Sequence, residues 1–229
     1  MRLAWQQIPS TVISDILCRN SMDGVVIDTE HGGFNTETLY ACIQVVTLNN
    51  KKCFVRLTEI NKTVIRLCLD AGCDGLIFST IESVQESNEV KKHCLYPNHG
   101  GLRGLGLVRE NEWGLKDLVN KPPILIAQVE TVAGVRNITS IWESKVFDFC
   151  MIGPYDLSAS VGHAGDFNSS EYKHAVEVVK KAIPLENMAV HIPTNVKNEK
   201  KKYEGYGIMA LGMDTTSIIE KYKEIEENA

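Results

Sequence analysis

The chain has 229 residues, of which 44% are hydrophobic and 23% charged, and its formal net charge is −5. This composition is typical of a globular protein with a substantial core, and the acidic balance disfavours nucleic acid as a partner. No apolar run approaches the roughly 18 residues of a membrane span, and no secretory signal pattern is present. The seven cysteines form no CxxC pair, which indicates reduced, buried thiols and a cytoplasmic location.

Short apolar runs recur along the chain, and most of them end in Gly, Pro or a polar residue. Each is predicted to form a β-strand. The runs occupy residues 3–8, 24–28, 52–57, 75–80, 124–130, 147–154, 188–193 and 208–214. Segments with helical periodicity separate most of these runs. The periodicity is clearest over residues 35–48, 61–72, 170–183 and 215–228.

The alternation of strands and helices predicts right-handed crossovers and a parallel sheet that is covered on both faces. Eight such units predict an α/β fold, a (β/α)8 TIM barrel, with residues 1–229 forming a single domain. The main alternative is an open doubly wound sheet. A dinucleotide site in such a sheet needs G-x-G-x-x-G after the first strand. The glycine-rich stretch HGGLRGLG (99–106) has the reversed spacing and follows no predicted strand, which disfavours that site.

Polar residues gather where the predicted strands end. In a parallel barrel the carboxyl ends of all strands converge on one mouth, where active sites are built. The polar strand ends are Asp28, Glu30 and His31 on the second strand, Arg56 on the third, Gln128 and Glu130 on the fifth, Gly153, Pro154, Tyr155 and Asp156 on the sixth, and Asp214 on the eighth. The starts of the strands carry mostly Gly, Lys and Pro. This asymmetry indicates a catalytic mouth.

Glu130 and Asp156 are candidate metal ligands, because two carboxylates at neighbouring strand ends can hold Mg²⁺ or Mn²⁺ with waters. Two open coordination positions would then suit a bidentate ligand such as a 2-oxo acid. The alternative for each carboxylate is that it caps the following helix. This alternative is stronger for Asp156, which precedes LSAS, than for Glu130, because Glu caps poorly.

Arg56 and His31 are the candidates for charge stabilisation and proton transfer. Arg56 would supply fixed positive charge for a developing oxyanion, unless it forms a surface ion pair. His31 is a candidate general base, unless it is a hydrogen-bonded histidine that holds a loop. The other histidines show no metal-ligand spacing and are expected to be surface or structural residues; they are His93, His99, His163, His174 and His191.

Several motifs together resemble the HpcH/HpaI aldolase family, the metal-dependent class II aldolases that act on 4-hydroxy-2-oxo acids such as 4-hydroxy-2-oxoheptanedioate. The similarity covers nearly the whole chain, in order. It rests on VVIDTEHGGF, FVRL, IRLCLDAGCDGLI, YPNHGGLRGLG, AQVETVAGVRNITSI, FCMIGPYDLSASVGHAG and IMALGMDTT.

The resemblance implies a (β/α)8 barrel whose last helix is exchanged between neighbours, usually in a hexamer built from dimers. It also implies a divalent cation (Mg²⁺, Mn²⁺ or Co²⁺) and a role for each matching residue. Glu130 and Asp156 would be the metal ligands, and His31 would be the base, with Asp70 raising its basicity. Arg56 would stabilise an enolate, Gln128 with the backbone at Gly153, Pro154 and Tyr155 would hold the pyruvyl carboxylate, and Asp28 and Glu30 would orient metal-bound water.

The implied reaction is cleavage or formation of a 4-hydroxy-2-oxo acid, to or from pyruvate and an aldehyde, through a metal-stabilised enolate. Two alternatives are a citramalyl- or malyl-CoA-type lyase and a non-catalytic barrel subunit. The chain departs from the family pattern in LTEINK after Arg56, in Ser79–Thr80 where a proline is usual, and in a shorter stretch before residue 122. These departures affect the aldehyde half of the pocket, and they favour an unusual substrate such as a sugar-derived or biosynthetic 2-oxo acid.

Overall fold

The computed structural model describes residues 1–116 and 121–229. Within these ranges eight parallel strands pair in chain order, and the eighth pairs with the first to close a barrel. The strands are β1 (Arg2–Gln6), β2 (Gly24–Asp28), β3 (Lys52–Leu57), β4 (Gly75–Phe78), β5 (Ile124–Val129), β6 (Phe149–Ile152), β7 (Met188–Ile192) and β8 (Ile208–Leu211). The predicted (β/α)8 barrel is therefore confirmed, and the open sheet is excluded.

Nine α-helices lie within the same described ranges and surround the barrel. They are α1 (Thr11–Cys18), α2 (Thr36–Leu48), α3 (Lys62–Asp70), α4 (Val84–Cys94), α5 (Val132–Glu143), α6 (Pro154–Ser160), α7 (Ser170–Ala182), α8 (Val196–Glu199) and α9 (Asp214–Glu227). Side-chain caps begin several of them: Asn35, for example, accepts a hydrogen bond from the Thr38 amide, and Ser83 accepts one from the Glu86 amide. None of these helices is long and apolar enough to cross a membrane.

Some strands end earlier than their apolar runs predict. β4 ends at Phe78. Two residues later Thr80 has a left-handed backbone, with φ of 55°, which turns the chain away from the sheet. β8 stops at Leu211 because Gly212, with φ of 73°, turns the chain. These early ends free the residues that follow: Ser79 and Thr80 after β4 reach Glu30 and Glu130, and Met213 after β8 lines a cavity at the mouth.

Two apolar layers fill the molecule. Side chains such as Trp5, Phe54 and Ile126 pack inside the barrel, and a larger cluster packs between the strands and the surrounding helices. The filled interior leaves the carboxyl ends of the strands as the place for a cavity. All seven cysteines are free and buried, as the sequence predicts. Burial raises the pKa of the Cys68, Cys94 and Cys150 thiols to about 12, so these thiols are unreactive.

Candidate active site

A cavity of about 300 Å³ opens at the carboxyl ends of the strands, and most of the predicted site residues line it. These are Asp28, His31, Arg56, Gln128, Gly153, Pro154, Tyr155 and Asp156, together with Trp5, His191 and Met213. A larger cavity of about 420 Å³ lies beside α2 and α3. Its lining includes Glu59 but none of the predicted site residues, so the chemistry belongs to the smaller cavity.

Arg56 occupies the floor of this cavity between two carboxylates. The register of β2 and β3 places Asp28 opposite Arg56, so the two side chains meet across the sheet. Arg56 Nε lies 2.9 Å from Asp28 Oδ1, Nη2 lies 2.6 Å from Oδ2, and Nη1 lies 2.7 Å from Glu30 Oε2. Arg56 is only 9% exposed, so this is a buried ion-pair network and the surface-pair alternative is excluded. Two of its five N–H groups remain for a ligand.

The carboxylate of Asp28 already accepts hydrogen bonds from several protein groups, which leaves little room for a metal-bound water. Besides Arg56, its carboxylate accepts hydrogen bonds from Trp5 Nε1 at 3.2 Å and from the amides of Glu30 and His31. A carboxylate has about four lone-pair sites, and all are used. Burial pushes the pKa of Asp28 upward, but the hydrogen bonds and charge of Arg56 outweigh it and lower the pKa. Asp28 therefore holds Arg56 in place, and its role in orienting metal-bound water stays a prediction.

Glu30 is likewise committed to protein donors on one of its oxygens. Its Oε2 accepts a hydrogen bond from the Ser79 hydroxyl at 2.8 Å, in addition to the Arg56 contact. Ser79 belongs to Ser79–Thr80, one of the three places where the sequence departs from the family pattern. The departure thus supplies a hydroxyl that fixes the second carboxylate on Arg56.

Glu130 follows β5 and is 2% exposed. Thr80 Oγ1 donates to its Oε1 at 2.6 Å, and the Gln128 amide donates to its Oε2. Burial raises the pKa of Glu130, the two hydrogen bonds lower it in part, and the negative charges of Glu30 and Asp156 raise it further. Thr131, not Glu130, caps α5, which excludes the capping alternative for Glu130.

Asp156 lies in the first turn of α6, and its side chain is exposed at the cavity. The residue that caps α6 is Gly153, so Asp156 does not serve as the cap. A Cβ on Gly153 would lie 2.2 Å from Glu130 Oε2 and 3.0 Å from Gln128 Nε2. Only glycine fits between the end of β6 and the Glu130 carboxylate, and this close approach brings α6 and Asp156 up to Glu130.

The donor set fits a hard divalent cation that keeps several non-protein ligands. No group of three or more His, Cys, Asp or Glu side chains that could hold a metal occurs in residues 1–116 and 121–229. The two carboxylates Glu130 and Asp156 suit Mg²⁺ or Mn²⁺, which commonly take one or two carboxylates plus water and substrate oxygens. Gln128 Oε1 is buried without a hydrogen-bond partner, and a metal-bound water would satisfy it.

His31 stands at the rim of the cavity with an exposed side chain. In the part of the chain that the structure describes, its imidazole makes no hydrogen bond, and only its backbone amide contacts Asp28. The alternative of a histidine that ties down a loop is therefore excluded. The free imidazole is accessible to a ligand in the cavity.

Asp70 is not the partner of His31 within the chain. It ends α3, which runs back from the mouth to the opposite end of the barrel, just before β4 begins. There Asp70 Oδ1 accepts a hydrogen bond from buried Arg103 at 2.9 Å, and Arg103 also pairs with Glu110. Because helices run antiparallel to the strands, the last residue of a helix lies far from the mouth.

The sequence analysis did not predict the contributions of Thr80 and His191 to the site. Thr80 was visible as a departure from the family pattern, but nothing in the sequence indicates that its hydroxyl reaches Glu130. His191, expected to be a surface or structural residue, lines the cavity and stacks on Trp5 with ring centroids 3.9 Å apart. Its position at the end of β7 is the signal that could have identified it.

A closed parallel barrel with carboxylates, an arginine and a histidine at its mouth has the architecture of a (β/α)8-barrel enzyme. The chain belongs to the HpcH/HpaI aldolase/citrate lyase family, whose model matches residues 4–221. It is 27% identical over 222 residues to the hydroxypyruvate/pyruvate aldolase of Delftia acidovorans, covering 93% of this chain and 82% of the relative. It is 28% identical over 222 residues to the 4-hydroxy-2-oxo-heptane-1,7-dioate aldolase of Escherichia coli, covering 93% and 84%.

Solved structures share the fold. A HpcH/HpaI aldolase/citrate lyase family protein from Burkholderia cenocepacia superposes with a TM-score of 0.91 at 22% identity, covering 100% of this chain and 93% of the other. The citrate lyase beta subunit of M. tuberculosis, solved with oxaloacetate and magnesium, superposes with a TM-score of 0.57 at 13% identity, covering 92% and 90%. The predicted family and barrel are thus confirmed.

Proposed function

We propose that the protein is a divalent-metal-dependent aldolase that interconverts a 4-hydroxy-2-oxo acid with pyruvate and an aldehyde. The observation that carries this proposal is that Arg56, His31 and Asp156 line one cavity of about 300 Å³, with Glu130 packed against Gly153 of the same lining. The names of the relatives support the same reaction class.

Glu130 and Asp156 would hold the cation, which we propose to be Mg²⁺, Mn²⁺ or Co²⁺. The bound cation would act as a Lewis acid that draws electrons from the 2-oxo group. Thr80 and Gln128 orient Glu130 for this task, since each donates to one of its oxygens. The magnesium in the citrate lyase beta subunit of M. tuberculosis supports a divalent metal.

The side chains at the mouth would transfer the proton of the C4 hydroxyl group and stabilise the negative charge that develops on the pyruvate fragment. His31 would remove the proton from the C4 hydroxyl, directly or through water, the C3–C4 bond would break, and an aldehyde would leave. The electron pair passes to the pyruvate fragment, whose negative charge the remaining N–H groups of Arg56 oppose. Proton transfer to C3 then gives pyruvate. Gln128 and the Tyr155 amide, next to Gly153 and Pro154, would hold the pyruvyl carboxylate.

A role for Asp70 in raising the basicity of His31 requires a second chain, because the two residues lie at opposite ends of one barrel. We therefore propose a homo-oligomer, in which Asp70 of one subunit approaches His31 of another. An exchanged α9 would fit this assembly, because Ile218, Tyr222 and Ile225 of that helix are exposed in the single chain. The seven free cysteines support a reducing cytoplasm as the compartment.

The test is aldol formation from pyruvate and a panel of aldehydes with Mn²⁺. We expect product that disappears with EDTA and in Glu130→Ala. Glu143→Ala is the matched control, because Glu143 is an exposed acid at the end of α5, away from the mouth, and it should keep full activity. Oxaloacetate decarboxylation needs only the pyruvate-binding half of the site and tests it alone. His31→Ala should therefore reduce aldol cleavage more than it reduces this decarboxylation. Turnover that survives chelation, or an unaltered rate in Glu130→Ala, would contradict the proposal.

A further inference from the structure

His191 lies near the end of β7, lines the cavity and is held in a fixed orientation. Its ring stacks on Trp5 with an interplanar angle of 9° and a centroid distance of 3.9 Å. Trp5 is fixed in turn, because its Nε1 donates to Asp28 and Arg56 lies over its ring at 5.0 Å. Trp5 is 1% exposed, so this stack cannot shift without disturbing the barrel interior.

The hydrogen bonding of His191 defines which of its nitrogens carries the proton. Nε2 lies 3.3 Å from the carbonyl oxygen of Gly212, which can only accept. Nε2 must therefore carry hydrogen. Burial lowers the pKa of His191 to about 4, and the nearby charge of Arg56 also lowers it, so the ring is neutral at pH 7. In a neutral ring with hydrogen on Nε2, Nδ1 is a hydrogen-bond acceptor.

Nδ1 is open to the cavity. Across the described residues 1–116 and 121–229 no group donates to it, and it is not one of the side-chain atoms sealed from solvent without a partner. The ring lines the cavity with the apolar Trp5, Pro193 and Met213 and with Gln7, whose Oε1 already accepts a hydrogen bond from Thr215. A ligand group that donates a hydrogen bond would therefore find an acceptor of fixed orientation in this part of the lining.

The charge of the cavity restricts the ligand further. Among the described residues that line it, Arg56 carries the permanent positive charge, and Asp28 and Glu30 already pair with it. The pyruvate part of the substrate would use the two N–H groups of Arg56 that remain unpaired. A second carboxylate on the other reactant would face the acceptor of His191 instead of a donor, and these lining residues include no unpaired cationic side chain that would compensate it.

We propose that His191 selects an uncharged hydroxyaldehyde as the aldehyde partner, with Nδ1 accepting a hydrogen bond from the aldehyde's hydroxyl group. This proposal rests on the proposed function. A net hydrogen bond of about 1 kcal/mol corresponds to a preference of roughly five- to tenfold for the hydroxylated compound. Trp5 is the positioning residue, because its ring fixes the plane of the imidazole.

The test compares three aldehydes as partners of pyruvate by kcat/KM. Glycolaldehyde carries the hydroxyl group, propanal replaces it with a methyl group of similar size, and succinic semialdehyde adds a carboxylate. The wild type should prefer glycolaldehyde over propanal by roughly five- to tenfold and should use succinic semialdehyde least. In His191→Leu the ratio of glycolaldehyde to propanal should fall to about one, whereas His191→Gln, which keeps an acceptor, should retain part of the preference.

Exchange of the pyruvate C3 protons with solvent separates the two proposals, because it needs only the pyruvate half of the site. A wild type that exchanges these protons but prefers propanal or succinic semialdehyde would overturn the role of His191 alone. The same conclusion would follow from an unchanged glycolaldehyde-to-propanal ratio in His191→Leu. A wild type without exchange would overturn the proposed function as well.

Discussion

Replacing Arg56 by methionine should destabilise the fold strongly, because it leaves buried carboxylates without their counter-charge. The side chain of Asp28 is 1% exposed and that of Glu30 is 14% exposed, so water cannot take over from the guanidinium. Removing one partner of a buried ion pair typically costs about 3–5 kcal/mol. Methionine keeps most of the volume of the arginine, so the loss reports the charge and not a cavity.

The measurement is urea unfolding followed by circular dichroism, applied to a double-mutant cycle. We expect Arg56→Met to lower the free energy of unfolding by about 3–5 kcal/mol. Adding Asp28→Asn should recover part of this loss, with a coupling free energy of about 1–3 kcal/mol. Glu30→Gln is the matched control, and it should couple less because Glu30 is more exposed. If Arg56→Met lowers the free energy of unfolding by less than about 1 kcal/mol, or if its coupling with Asp28→Asn is near zero, the Arg56–Asp28 pair does not stabilise the fold as proposed.

Three further predictions concern the same mouth. Thr80→Val removes the hydroxyl that donates to Glu130, so Mn²⁺ affinity measured by calorimetry should fall roughly tenfold; an unchanged affinity would contradict this. Gly153→Ala places a Cβ 2.2 Å from Glu130 Oε2, so Mn²⁺ affinity should fall by more than about tenfold; wild-type binding would count against it. Burial lowers the pKa of His191 in the folded protein to about 4, below the 6.5 of an exposed histidine, so the unfolded chain takes up a proton first as the pH falls. Relative to His191→Leu, the wild type should therefore lose up to about 3 kcal/mol of its free energy of unfolding between these pH values; parallel pH profiles of the two proteins would contradict this.

The barrel could be predicted because its strands are apolar on both faces and recur at regular spacing. The same rule placed Arg56, Glu130 and Asp156 at one mouth, since parallel strands end on one side. The strand ends were less predictable, because Ser79 and Thr80 look like a continuation of the apolar run. Their side chains leave the sheet to reach Glu30 and Glu130 instead.

The partners of the site residues could not be predicted, because they depend on closure of the barrel. Trp5 on β1 and His191 on β7 both flank β8, and only closure brings their rings together. The neighbours of Asp28 also come from two other strands, so its contacts with Trp5 and Arg56 could not be read from the sequence. Asp70 shows a different reason: a family motif locates a residue along the chain but does not show that it lies beside Arg103, at the end of the barrel opposite His31.

The most direct test of the account is proton exchange at C3 of pyruvate, followed as loss of the methyl signal by proton NMR in D₂O with Mg²⁺. We expect exchange that depends on the enzyme and Mg²⁺, stops with EDTA, and is lost in Glu130→Gln but retained in Glu143→Ala. Exchange that persists after chelation or in Glu130→Gln would contradict it. So would an absence of exchange in the wild type with metal present.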